Sequence, residues 1–432
     1  MDLEPLLNAG ERAAGEEQAW LKGWRLEAAE SARSTGLPTL KTEDWKYTSL
    51  FALSKKSVRP TVADDLPHAD LTRVRDLLPP LVTPRRLVFV NGVLSEQASD
   101  LPSDHNLTIT RFADLSETQQ RAVKNATQND DAVFSQLNAA TLSEGVYIEI
   151  ADDVAEVLEL SVVFLALHEE GLLRAPRLAV FTGRNSRVRI TEEYISAQHD
   201  PGITNAVTDL HLEDGAELWH HRIQEEALDS AQIGRINAVV GRDAHFHSDS
   251  VVFGGALTRV DIAVKLAERG AECTLNGLFA VEGSQHVDHH TVIEHCVGYT
   301  HSRELYRGIL DEQSRGVFNG KVVVRQDAQR ITAEQASNNL LLSREAEIDT
   351  KPELEIYADD VSCAHGATVG ELDQDALFYL RSRGISMAEA RALLIYAFAE
   401  KVIEAIPLDH VRNHIEQRFI GHQDLSETLR QF

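Results

Sequence analysis

The residues best placed to do chemistry in this sequence are a cysteine and a histidine two positions apart, Cys363 and His365, within LEIYADDVSCAHGATVG at 354–370. In an extended chain successive side chains alternate between faces, so Val361, Cys363, His365, Ala367 and Val369 share one side while Ser362, Ala364 and Gly366 take the other. A thiolate and an imidazole then project together, with small neighbours leaving room above them. That donor pair suits a soft or borderline metal ion such as ferrous iron. Two donors do not close a four-coordinate site, so the remainder has to come from elsewhere, for example a second subunit. The plain alternative is a packed Cys363 and a hydrogen-bonded His365.

Other candidates are weaker. The sequence has 18 histidines, several of them close together: His220 and His221, His245 and His247, His286 with His289 and His290, and His295 with His301. A His-x-His pair on a strand can face one metal ion, but the SDSVVFGG that follows His247 lacks the glutamate a cupin site adds. These histidines read as polar residues on strand faces or in turns. His295 and Cys296 are adjacent and so point to opposite faces, and Cys273, alternating with Leu275, reads as a buried, inert thiol. There is no GxxxxGK[ST] loop, strand-linked GxGxxG, GxSxG elbow or HExxH. Any nucleotide hydrolysis has to be borrowed from a partner.

Composition narrows the partners. With 42 basic and 68 acidic residues among 432, the formal charge is -26, which repels nucleic acid and anionic lipid. Three cysteines without a CxxC pair fit a reducing cytoplasm, and MDLEPLLNAGERAAGEE carries acids where an import leader avoids them. No apolar run reaches membrane-spanning length. A cytoplasmic protein that binds neither nucleic acid nor membrane is the expectation.

The elements that must position Cys363 and His365 follow from periodicity. Trp20, Leu21, Trp24, Ala28 and Ala29 make one face of a helix stopped by Gly36 and Pro38. A proline-spotted connector runs over 60–84, RLVFVNGVL at 86–94 reads as strand with an Asn-Gly turn, and 116–141 reads as helical. From about Gly145 to Ala367 short β-branched runs alternate with turns, the texture of one all-β domain. Gly215-Ala216-Glu217, Asp243-Ala244-His245 and Gly270-Ala271-Glu272 recur at about 27 residues, as coils of a parallel β-helix do, and a sandwich or barrel remains open. Asn276-Gly277 and Asn319-Gly320 read as the same local pattern further on. After Asp373 come helices: an aspartate-capped one ending at Gly384, and one opened by the Ser386/Glu389 capping box with a stripe of Ala390, Leu393, Leu394, Ala397, Phe398 and Val402. A last one carries Val411, Ile415 and Phe419. Such helices either cap the open end of the coils or dock a partner.

The run LEIYADDVSCAHGATVGELDQDALFYLRSRG at 354–384 resembles the C-terminal signature of the SufB and SufD scaffold proteins. QHVDHHTVIEHCVGYTHSRELYRGIL at 285–310, GVFNGKVVVRQDAQRITAEQASNNLLLS at 316–343 and KTEDWKYTSL at 41–50 agree with it. The absence of any cysteine before Cys273 fits the SufD branch better than the SufB branch. The resemblance implies a right-handed parallel β-helix core over 85–370, an N-terminal helical region over 1–84 and a C-terminal helical domain over 371–432. It also implies a non-enzymatic scaffold role in iron-sulphur cluster assembly, in complex with SufB and the SufC ATPase, with a homodimer as the alternative for the isolated chain. A transient cluster or iron at the SufB interface would be held by His365, with Cys363 beside it, and no nucleotide would be bound by this chain itself. The C-terminal helices become the expected SufC dock, with Leu377, Tyr379, Leu393 and Phe398 as candidate contacts. The rivals are a metal-free adaptor and a β-helix enzyme acting on carbohydrate.

Overall fold

The computed structural model describes residues 3–13, 18–62, 71–81, 83–128, 130–167, 171–404, 406 and 412–413. Successive strands alternate between two sheets, each pairing in parallel with the strand one coil earlier and one coil later, so the chain winds into a β-solenoid. One sheet ends in Glu347–Ile356 and the other in Val361–Gly370, the two strands of the last coil. The turn repeat is the coil repeat: Glu217, His245 and Glu272 lie abreast on neighbouring strands. Each is preceded by a wholly buried alanine, Ala216, Ala244 and Ala271, which the tight corner accommodates.

The residue before each alanine has positive φ: Gly215 at 70°, Asp243 at 52° and Gly270 at 77°. Their N–H groups donate to the next coil, Gly215 to Arg242 O at 2.8 Å and Asp243 to Arg269 O at 3.1 Å. Glycine is required at 270 on two counts, its φ and an Asp243 Oδ1 only 1.9 Å from where a Cβ would stand. Asn276-Gly277 and Asn319-Gly320 do not belong to this repeat. They lie mid-strand, in Glu272–Val281 and Arg315–Val324, which are in opposite sheets.

Inward apolar positions of both sheets meet in a shared core, with Leu218, Phe246, Leu275 and Tyr306 from one sheet and Ile236, Ile262, Ile293 and Phe318 from the other. The sheet begins where Arg86–Val90 joins Leu158–Ala166, and the Asn91-Gly92 turn, with φ of 51° and 85°, folds Val93–Leu94 back onto it. Part of the proline-spotted connector is also in register, Arg59–Pro60 pairing with Leu172 and Leu173.

Helix Ala19–Thr35 buries Leu21, Trp24, Ala28 and Ala29 and closes at Gly36, whose N–H donates to Ala32 O at 2.9 Å. The stretch after Ser116 is two helices rather than one, Glu117–Thr127 and Val133–Ala140. Between them Asp130 leaves helical pairing to take Arg235 at 3.0 Å and Asn237 at 3.0 Å, bonds to the sheet that a continuous helix would forfeit. These helices and the N-terminal ones share one cluster, which also contains Trp45.

The C-terminal helices are Gln374–Ser382, capped by Asp373, and Met387–Ile403, opened by the Ser386/Glu389 capping box. The second lies on the outer face of the sheet that ends in Val361–Gly370: Ala399, Val402 and Ile403 pack on Ile223, Val251, Leu278 and Ile309. Its packed stripe is therefore rotated from the expected one, and Ala397 is exposed. The expected last helix around Val411, Ile415 and Phe419 falls outside the described residues. Among the described residues no helix is long and apolar enough to cross a membrane.

Candidate functional site at the last coil

Cys363 and His365 stand on Val361–Gly370, which pairs in parallel with Ile331–Leu341 so that Ala333 lies beside Cys363 and Gln335 beside His365. Their shared face is the one that continues the solenoid interior. Val361 and Cys363 pack with Ile331, Ala333, Ala358 and Leu354, whereas His365 is exposed. Burial pushes the Cys363 thiol up, partly offset by the Ala333 backbone N–H, which favours the thiolate, so the group is held as a thiol in the isolated chain.

This exposure has a structural cause. No further coil covers the last one among the described residues, and the C-terminal helices pack on the outer sheet face rather than over the end. The two end strands differ in character. Glu347–Ile356 is edged with Glu347, Asp349, Lys351, Glu353 and Glu355 and contains Pro352, the devices by which sheet edges avoid pairing with other chains. Val361–Gly370 has no lysine, arginine, acid or proline over its 10 residues. Its outer strand edge is long, uncharged and, among the described residues, open.

The other clustered histidines singled out in the sequence are accounted for locally. His220 faces inward, with Nδ1 3.0 Å from Ser248 Oγ and Nε2 3.2 Å from Glu192. His221 and His247 face outward and share Asp249, at 2.8 and 2.9 Å, and these contacts overcome its burial to hold the carboxyl down at about 2. His289 is enclosed against Phe279 and Tyr306, and burial lowers it to about 3. His295 lies between Thr300 Oγ1 at 2.7 Å and Ser302 Oγ at 2.9 Å, and His290 meets Asp288 at 3.0 Å. His286 lies 3.0 Å from Thr48 Oγ1, while His245 and His301 are exposed. Cys273 is buried, and Cys296 is half-buried. Among the described residues no group of three or more His, Cys, Asp or Glu side chains could hold a metal ion.

At the C-terminal helices the candidate contacts separate. Leu377 is buried with Leu340, Leu372 and Ala390, so it holds the helix to the chain's own sheet. Phe398 packs toward the sheet under the Arg307 guanidinium, 4.8 Å from its ring, and Leu393 is half-buried. Tyr379 is 57% exposed, and its neighbour Phe378, which periodicity did not single out, is 75% exposed. A phenylalanine that breaks the apolar stripe is the only sequence signal for it.

Fold and site together define a parallel β-solenoid with helical ends and a soft-donor pair on an open terminal strand. Residues 165–398 match the family model described as SUF system FeS cluster assembly, SufBD core domain. The chain is 32% identical to the iron-sulfur cluster assembly SufBD family protein slr0076 of Synechocystis, over 94% of this chain and 91% of that one. It is 30% identical to the iron-sulfur cluster assembly protein SufD of Escherichia coli over 89% of each chain, and 24% identical to SufD of Bacillus subtilis over 93% of each. The chain belongs to the SufBD family of iron-sulphur cluster assembly proteins.

Proposed function

We propose that this chain is a non-enzymatic scaffold subunit that pairs with SufB along the open strand Val361–Gly370 and contributes His365, with Cys363 beside it, to a nascent iron-sulphur cluster site completed by SufB. The observation that carries the reading is a donor pair on an unguarded strand edge that no part of the described chain covers. A strand of this kind exposes a row of backbone N–H and C=O groups that a partner strand can satisfy. A thiol and an imidazole on its inward face then meet the partner's donors as the two solenoids abut. Iron and sulphide are cargo here, delivered to and released from the interface.

The helices Gln374–Ser382 and Met387–Ile403 dock the SufC ATPase, with Tyr379 and Phe378 offering exposed aromatic surface while Leu377 and Phe398 keep the helices seated. ATP binding and hydrolysis then belong to SufC. Its differential affinity for closed and open arrangements of the paired solenoids supplies the free energy that opens the interface.

Co-expression with SufB and SufC tests the assembly. The wild-type chain is expected to co-purify with both, and Ala364→Lys, a charge on the outward face of the open strand, to lose SufB while retaining SufC. Retention of SufB by that variant, at wild-type yield, would exclude this strand as the pairing edge.

A further inference from the structure

Behind His365 the solenoid interior is polar. Parallel register places Glu304, Gln335 and His365 in one file, one residue per coil, all on the inward face. Glu304 and Gln335 are buried, and Gln335 Nε2 donates to Glu304 Oε2. The opposite strand makes room for this amide with Gly320, where a Cβ would stand 2.2 Å from Gln335 Nε2. With its amide nitrogen committed to Glu304, Gln335 has its carbonyl Oε1 buried and, among the described residues, without a partner. A buried acceptor left unpaired is costly, and the next residue in the file, His365, carries a ring N–H donor.

The last strand is a firm platform for that ring. Thr368 Oγ1 donates to Asn338 Oδ1 at 2.8 Å, and Asn339 Nδ2 donates to Thr368 O at 3.3 Å, so side chains as well as backbone tie it to the strand beneath. We propose that Gln335 is the positioning residue for His365: its Oε1 accepts the imidazole N–H, fixing one tautomer and leaving the other ring nitrogen to present its lone pair at the open end. Glu304 acts one step further back by holding the Gln335 amide the right way round. Ligating histidines are commonly oriented by such a partner on the far ring nitrogen. The inference deepens the reading of His365 as a cluster ligand and rests on it for its purpose, though not for its geometry.

The test reads the ring directly, on the full isolated chain labelled with nitrogen-15 histidine. His365 is assigned by the signal missing in His365→Ala, and its two ring-nitrogen shifts report the tautomer ratio. Wild type is expected to show one dominant tautomer and Gln335→Met, near in shape but without the acceptor, to shift the ratio about fivefold toward the other, the worth of one net hydrogen bond. Glu304→Gln keeps an acceptor for the Gln335 amide and is expected to retain the wild-type ratio. Should Gln335→Met fail to fold, Gln335→Asn retracts the same carbonyl by one methylene and carries the same expectation. An unchanged ratio in a folded Gln335 variant overturns the inference. If the ratio shifts as expected but His365→Ala leaves cluster content in the SufB complex intact, the ligand reading fails while the hold of Gln335 on the ring stands.

Discussion

Glu304 is wholly enclosed between two coils, and burial pushes its carboxyl up to about 7, only partly offset by the polar Thr291 hydroxyl and by the amide N–H that Gln335 donates. An acid that binds its proton more tightly folded than unfolded costs stability as pH rises from its unfolded value, 4.5, through the folded one. The penalty is absent below pH 4.5 and complete above 7, where raising a carboxyl by this much costs about 3 kcal/mol. Glu304→Gln removes the titration and keeps the shape and the acceptor. The variant is therefore more stable than wild type by about 1 kcal/mol at pH 5.5 and about 3 kcal/mol at pH 8.5, a gap that widens by about 2 kcal/mol. The lower limit keeps clear of the isoelectric point near 5.1, where the chain loses its charge repulsion. Urea unfolding of both proteins at the two pH values measures the gap, and the difference between them cancels every other titrating group. A gap that stays constant with pH, or narrows as pH rises, would refute the assignment of a protonated carboxyl at this point in the file.

Three further outcomes follow from the packing. Trp45 lies beneath the Arg259 guanidinium at 3.9 Å and beside Phe134 at 5.2 Å, while Thr48 bonds Asp288, so Trp45→Ala loosens the N-terminal segment from the sheet and costs about 3–5 kcal/mol by thermal or urea unfolding. Leu377→Ala costs about 2–4 kcal/mol of stability, whereas Phe378→Ala with Tyr379→Ala leaves the unfolding free energy within about 0.5 kcal/mol of wild type and weakens SufC binding by calorimetry. Gly270→Ala destabilises by more than about 1 kcal/mol, because the new methyl meets both an unfavourable φ and the Asp243 carboxylate.

The solenoid was legible where its corners impose composition. A left-handed residue followed by an alanine with no room for more recurs in Gly215-Ala216, Asp243-Ala244 and Gly270-Ala271, and these pairs proved to mark coils. The Asn-Gly dipeptides misled because strands alternate between sheets, so similar local sequence at 276 and 319 sits on opposite walls. The break at Asp130 was set by Arg235 and Asn237, more than a hundred residues away, which no local period carries. Strand alternation sufficed to put Cys363 and His365 on one face. What lies beneath them was hidden: Glu304, Gln335 and His365 align only through the register of three coils of unequal length, which the sequence does not display. The unguarded edge was visible in retrospect as a run of ten residues without Lys, Arg, acid or proline, but it acquires meaning only once Val361–Gly370 is known to be the terminal strand.

The central claim is that the last coil is half of a cluster site. It is tested most directly by the iron-sulphur absorbance of the complex purified after co-expression with SufB and SufC, comparing wild type with His365→Ala at equal subunit stoichiometry. The account predicts that the variant assembles normally and loses most of its cluster absorbance. Undiminished absorbance in the assembled variant would contradict it.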